Sequence, residues 1–377
     1  MKNPIDGNAI VYCEGGFSNA NGKTAHGLVR FTERYRTLAI LDSECAGKDA
    51  GEVLEGAWAG IPIFDQLGQA MTWSTKLGLP AQYFVIGLAP DGGALPGHAR
   101  VAVCEAIRNG LHIVSGLHDF LSEDREIASL AKAFGVTLYD VRKPLPRKQL
   151  HFFSGKIAQV ESLKIALLGT DSAVGKRTTA WSLVHALHRR GIATEMIGTG
   201  QTAWMQGARY GLILDSLVND FVAGELEHAV WSAWSEAQPQ VIVVEGQGSL
   251  LNPAYPGGFE ILAATRPDFI VLQHDPTRSD YDGFPGHKIH SLSRQIAALQ
   301  AISETPILAI TLNHGTLARA DILPMCDQIQ LETGYPTFDV LIQTGDPLAE
   351  LVISQLRAAR KSPILNADLE PVSAGAP

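Results

Sequence analysis

Residues 164–191, KIALLGTDSAVGKRTTAWSLVHALHRRG, constrain the fold more than any other part of the chain. An apolar run enters a glycine-flanked loop, and an apolar-periodic stretch follows, which is the pattern of a strand, a loop and a helix. The pair Gly175 and Lys176 matches the end of a Walker A loop, but five residues separate Gly169 from Gly175 where the GxxxxGK frame has four. In the strict frame Thr170 stands in place of the first glycine. The chemistry still suits an anion. Loop N–H groups can converge on it, the helix directs its positive end there, and a lysine neutralises the oxygens. The residue after the lysine is Arg177, where a Ser or Thr would place a hydroxyl on magnesium. Thr178 lies about 100° further round the helix and cannot simply replace it. The arrangement therefore suits neutralisation of a diphosphate by Lys176 and Arg177 without hydrolysis. The alternative is that Arg177 faces solvent and Thr178 or Thr179 meets the phosphate after a local shift.

Around this unit the chain reads as α/β. Short β-rich runs at 9–13, 38–42, 61–64, 83–86, 112–114 and 136–139 alternate with helical stretches, clearest at 98–109 and 122–134, as in an open parallel layer. The segment 142–148 carries Arg142, Lys143, Arg147 and Lys148 around two prolines and reads as a solvated linker. Beyond it the pattern restarts, with strands expected at 163–168, 195–197, 241–244, 269–272, 307–312 and 340–342. Long helices are expected at 176–190, 220–236, 288–302 and 347–360. This divides the chain into a first domain at 1–150, a second at 151–361 and a loose tail at 362–377. A chain of 377 residues is long enough for two domains. Its net charge of −9 argues against a general nucleic-acid binder. Four cysteines without CxxC spacing read as reduced thiols. The first residues lack the apolar run of a signal peptide, and no run is long enough for a membrane helix. The expectation is a cytoplasmic protein without a membrane or nucleic-acid partner, acting on a small molecule, and a homo-oligomer on general grounds.

Other strand exits supply the remaining candidates. Glu245 ends the run VIVVE, 69 residues after Lys176, where an acid can act as a base, hold a metal or cap a neighbouring helix. Gln247 and Ser249 follow as hydrogen-bonding groups. Thr199, Gln201 and Thr202 lie at another glycine-rich exit, beside Trp204, which is expected to pack. His274 is an acid/base candidate, and Arg278 can grip a carboxylate or stabilise a turn. Asp215 and Asp220 are expected mainly as helix caps. His287 and His290 have i, i+3 spacing without a nearby third ligand, so no metal site is expected. Near the amino terminus GGFSNANGKTAHG also has five residues between Gly16 and Gly22, and Lys23 is followed by Thr24. It reads equally as a ligand loop and as a plain βα turn, with Gly27 expected to interrupt any helix after it.

The segment GTDSAVGKRTTA resembles the nucleotide loop of dethiobiotin synthetase-like P-loop proteins, which share the extra loop residue but keep a hydroxyl where this chain has Arg177. Together with LDSECAGKDAG, GTGQTAWMQG, DFVAGELEHAV, VVEGQGSLLNPAYPG and QHDPTR, it resembles a two-domain family, formerly of unknown function, associated with D-glutamate N-acetyltransferase activity. The resemblance covers nearly the whole chain apart from the tail. It implies a Rossmann-like first domain, a P-loop NTPase-like second domain, acetyl-CoA as donor and an acidic D-amino acid as acceptor. On this chain it implies Gly169, Thr170, Asp171, Gly175, Lys176 and Thr178 around the donor phosphates, with Glu245 and Gln247 beside them. The residues themselves point to Glu245 and His274 as bases and to Thr199, Gln201, Gln247, Ser249 and Arg278 as substrate contacts. The rival expectations are a ligase or kinase using ATP and Mg, or a non-catalytic nucleotide or CoA sensor.

Overall fold

The structure is a computed structural model that describes residues 6–361; the tail expected at 362–377 lies outside the described residues. Two parallel sheets organise the chain. The first contains β1 (Gly7–Tyr12), β2 (Tyr35–Leu41), β3 (Ile63–Phe64), β4 (Tyr83–Ile86), β5 (His112–Ser115) and β6 (Leu138–Asp140), in the order β3-β2-β1-β4-β5-β6. The second contains β7 (Leu163–Gly169), β8 (Thr194–Gly198), β9 (Tyr210–Gly211), β10 (Val241–Glu245), β11 (Phe269–His274), β12 (Ile307–Leu312) and β13 (Thr337–Asp339). Its order is β13-β12-β11-β7-β10-β8-β9. The described residues separate into two compact units: 6–156 with 197–230, and 157–196 with 231–361.

The first sheet has the doubly wound Rossmann order, whose connectivity reverses between β1 and β4. At that switch point the loop after β1 is tied to the exit of β2. Phe17 is fully buried, and its N–H donates to Asp42 Oδ2 at 2.9 Å. The helix Lys23–Arg30 runs through Gly27, contrary to the interruption expected there. Gly27 is buried, and its carbonyl accepts from Phe31 N and Gln206 Nε2, so close packing holds the glycine helical.

In the second sheet β7, β10 and β12 are buried at every position, as expected for strands covered on both faces. Even Lys164 is buried, with Nζ 3.1 Å from Asp268 Oδ2. Most expected elements lie within a few residues of the observed ones, but two differ instructively. The strand expected at 340–342 is β13, three residues earlier. Asp339 Oδ1 accepts from Leu341 N and Ile342 N, which turns the apolar run away from the sheet. The helix expected from 288 begins at Leu292, because the Ser291 hydroxyl caps it by accepting from Arg294 N. In the first unit the helix Arg125–Phe134 is likewise capped by Asp124.

Candidate functional site

Parallel strands bring their carboxyl ends to one edge, where loops of α/β proteins gather ligand groups. Glu245 pairs in register with Leu167, and Gln273 pairs with Gly169. The exits of β10 and β11 therefore flank the loop that leaves β7. That loop runs from Gly169 to Gly175 and enters the helix Lys176–Arg189. Gly175 has φ of +101°, a conformation that a side chain would strain. A Cβ on Gly169 would lie 2.9 Å from Lys176 Cδ and 3.0 Å from its Nζ, so only glycine leaves the lysine this path.

Lys176 Nζ donates to the carbonyls of Asp171 at 2.6 Å and Gly248 at 2.9 Å. Burial lowers its pKa to about 8, against the opposing pull of Asp171 and Glu245. Asp171 is fully buried and organises the surrounding loops. Its Oδ1 accepts from Ser172 N and Asn252 Nδ2, each at 2.7 Å. Its Oδ2 accepts from Arg278 and from Asp282 N, each at 2.8 Å. Asn252 Oδ1 in turn accepts from Ala254 N and Tyr255 N, which fixes the loop after β10. Arg278 also donates to the carbonyl of Ser172 at 2.7 Å, so in this structure its guanidinium serves the phosphate loop.

Thr170 and His274 are joined through Oγ1 and Nδ1 at 3.0 Å. Burial pushes the His274 pKa down to about 4, so the ring is neutral near pH 7. Thr179 and Thr311 both donate to Gln273 Oε1 at 2.6 Å, which occupies the Thr179 hydroxyl in packing. Thr178 and Arg177 are half-buried on the first turn of the helix. Gly169, Gln247 and Ser249 line a small cavity with Gln295, whose amide donates to Thr170 O at 2.9 Å. Among the described residues, Ser249 Oγ is buried without a hydrogen-bond partner.

The second unit thus brings together Gly169 to Thr178, Glu245, Gln247, Ser249, His274 and Arg278. Thr199 and Gln201 belong to the first unit, where Gln201 packs against Gly116 and Thr202 bonds Thr24 at 2.9 Å. Asp215 forms an ion pair with Arg142 in that unit, and Asp220 lies in the first turn of the helix Asn219–Ala237. Several participants escape sequence inspection. Asn252 and Asp282 meet Asp171 only through loop folding. His314 Nδ1 meets the fully buried Asp339 Oδ2 at 2.7 Å, joining the exits of β12 and β13. The only signal available for the latter pair was a His and an Asp just beyond or at strand ends. Among the described residues no three His, Cys, Asp or Glu side chains gather as metal ligands.

These features define a class: a two-unit parallel α/β protein with a Rossmann-like sheet and a P-loop opening a helix. The chain belongs to the DUF1611 family. Residues 151–349 match the model described as "Domain of unknown function (DUF1611_C) P-loop domain", and residues 43–144 match the "(DUF1611_N) Rossmann-like domain". It is similar to a protein named D-glutamate N-acetyltransferase from Tritonibacter scottomollicae, 30% identical over 71% of this chain and 80% of the relative. A protein of the same name from Pseudoalteromonas sp is also 30% identical, with the same coverage. The crystal structure of a DUF1611 family protein from Anabaena variabilis superposes with a TM-score of 0.84 at 28% identity, covering 92% of this chain and 99% of that one.

Proposed function

We propose that this chain transfers the acetyl group of acetyl-CoA to the amino group of D-glutamate, with the P-loop holding the donor diphosphate. The observation that carries the proposal is the likeness, over 71% of the chain, to two proteins named for that acyl transfer. The site is chemically compatible. A buried lysine at the amino terminus of a helix that a glycine-flanked loop opens suits a diphosphate. Arg177 in the magnesium-hydroxyl position suits binding without phosphoryl transfer. Gly169, Thr170, Asp171, Gly175, Lys176, Arg177 and Thr178 form the donor site in this proposal, with Asp171 acting by shaping the loop. In this proposal the domains along the chain are 1–150 and 151–361, with residues 197–230 of the second packing in the first compact unit, and the protein is taken as a cytoplasmic homo-oligomer.

Acetyl-CoA supplies an activated thioester. The acceptor ammonium must lose one proton to a base before its nitrogen bonds the acetyl carbon; the C–S bond then breaks, and the departing CoA thiolate takes up the second proton that the nitrogen sheds. Glu245 and His274 are the assigned bases. The low His274 pKa makes its ring a weak proton acceptor, which places more of the expected effect on Glu245. Gln247, Ser249 and Arg278 of the second unit are the substrate contacts of the proposal, Arg278 where the acceptor takes over its bond to Asp171.

Thermal stabilisation by acetyl-CoA and by Mg-ATP is the first experiment. A ligand at about 100 times its Kd adds about 2.7 kcal/mol. A shift with acetyl-CoA and none with Mg-ATP is expected. The reverse, with ADP release, overturns the proposal in favour of a ligase or kinase. Turnover over D- and L-amino acids then separates an enzyme from a sensor, and loss of turnover in Glu245→Gln is expected.

A further inference from the structure

The largest cavity described, about 310 Å³, lies wholly within the first unit, and the acetyl transfer proposed above makes no use of it. Its walls come from the chain after β6, the stretch between β8 and β9, and the helix Asn219–Ala237. Sites for small molecules span about 300–1,000 Å³, so this volume is that of a site for one compact ligand. The lining is mainly apolar. Leu150, Ile213 and Leu217 contribute aliphatic surface, and Trp204 and Tyr210 contribute rings. The Arg34 guanidinium lies 4.0 Å from the centre of the Trp204 ring, and its Nε donates to the Trp204 carbonyl at 2.8 Å. One face of the indole is thereby covered, and the ring meets the cavity by its other face or its edge.

Charges in the wall are engaged before any ligand arrives. Arg142 donates through Nε to Gly116 O at 2.6 Å and is ion-paired with Asp215. Lys143 is 3.1 Å from Glu123 and 2.9 Å from Ser122 Oγ. Glu225 Oε1 accepts from His151 N at 2.6 Å and meets His151 Nδ1 at 2.8 Å. Arg209 lies 5.0 Å from the centre of the Tyr210 ring and is engaged elsewhere as well. The three cations of the wall, Arg142, Lys143 and Arg209, are thus matched in number by three carboxylates, Glu225, Asp215 and Glu123. A charged ligand would give up its water here and find the opposite charges already bonded, which is unfavourable. A neutral molecule gives up only apolar hydration and gains contact with the rings and aliphatic side chains.

We infer that this cavity is a binding site for a neutral, largely apolar molecule with an aromatic ring. Contact with Trp204 and Tyr210 and burial against Ile213 and Leu217 supply the affinity, and the engaged charges of the wall select against ions. The inference does not rest on the acetyl transfer, because none of these residues serves that reaction.

Fluorescence titration of the full chain with N-phenyl-1-naphthylamine, an uncharged probe that brightens in apolar surroundings, tests the assignment. Wild type is expected to bind one probe saturably. Indole is expected to displace it, and indole-3-acetate, the same ring with a carboxylate, to need at least about tenfold more. Ile213→Trp and Leu217→Trp fill the cavity from half-buried positions in its wall and are expected to weaken probe binding about tenfold or more. Leu331→Ser, at an exposed apolar residue of the other unit, is expected to leave binding unchanged, which separates the cavity from adsorption to the surface. Circular dichroism checks the folding of all variants, and the displacement pair needs only wild type. Wild type without saturable binding, or folded Ile213→Trp and Leu217→Trp proteins that bind within about twofold of wild type, overturns the cavity assignment. Equal displacement by indole and indole-3-acetate, or displacement by D-glutamate, overturns the choice of a neutral ligand.

Discussion

Replacement of Asp171 by asparagine removes one charge from a carboxylate that four donors surround. Ser172 N and Asn252 Nδ2 reach Oδ1, while Arg278 and Asp282 N reach Oδ2, and the group is fully buried. An amide cannot satisfy both sides, because either orientation turns its NH2 toward two donors. Two unpaired buried donors cost roughly 1–3 kcal/mol each, and the lost pairing with Arg278 adds to this. Partial exposure of Arg278 allows some rescue by solvent, so the expected loss is about 4 kcal/mol. For a unit of this size that lowers the unfolding midpoint by about 10 °C. A second effect is electrostatic. The Asp171 charge supports the Lys176 ammonium, so its removal lowers the lysine pKa further and weakens anion binding near pH 8. Urea denaturation and donor titration at pH 7 and pH 8 read both effects. Arg278→Met is expected to destabilise by about half as much, and the double variant by less than the sum. A loss below about 1 kcal/mol for Asp171→Asn, with donor affinity unchanged, would refute the role of this carboxylate as the organiser of the loop.

Three further outcomes follow from the same geometry. Lys176 titrates near 8 in the folded protein and near about 10.4 when unfolded. The folded state therefore binds fewer protons between those values, and stability should rise with pH through that window by up to roughly 3 kcal/mol. Donor affinity should fall above pH 8, and Lys176→Met should abolish both slopes, as unfolding and binding measured across pH would show. For His274 the folded pKa of about 4 lies below the unfolded 6.5. Its contribution is present above pH 6.5 and lost as pH falls toward 4, by at most about 3 kcal/mol, and His274→Asn should flatten that limb of the pH–stability curve. Gly248 has φ of +52°, and a Cβ there would overlap the Tyr255 carbonyl. Gly248→Ala should therefore cost more than about 1 kcal/mol and weaken donor binding, because the loop carbonyl that holds Lys176 Nζ must move; titration of the variant with acetyl-CoA checks this.

The α/β class and the strand–loop–helix at 163–189 were legible because their signals are local: an apolar run, glycines flanking a loop and a lysine at the helix start. Glu245 and His274 were visible for the same reason, each ending an apolar strand. The limits of that legibility are equally physical. The run at 340–342 is as apolar as a strand, but the side chain of Asp339 captures the next amides and turns the chain. Gly27 looks like a helix breaker until Gln206 packs on its carbonyl. Arg278 looks available for a substrate carboxylate until Asp171 and Ser172 take its donors.

The sequence by itself determined two parallel α/β layers, the position of the phosphate loop and the residues on several strand exits, because each depends on periodicity and backbone chemistry within a few neighbours. Only the tertiary structure decided which exits adjoin, since strand order sets β10 and β11 on either side of β7. It also decided that Asp171 gathers partners from about 80 to 110 residues away along the chain, and that Arg142 and Glu225 line one cavity. Hydrogen bonds and burial act through space, and no spacing along a chain reveals which distant side chains will compete for the same few ångströms.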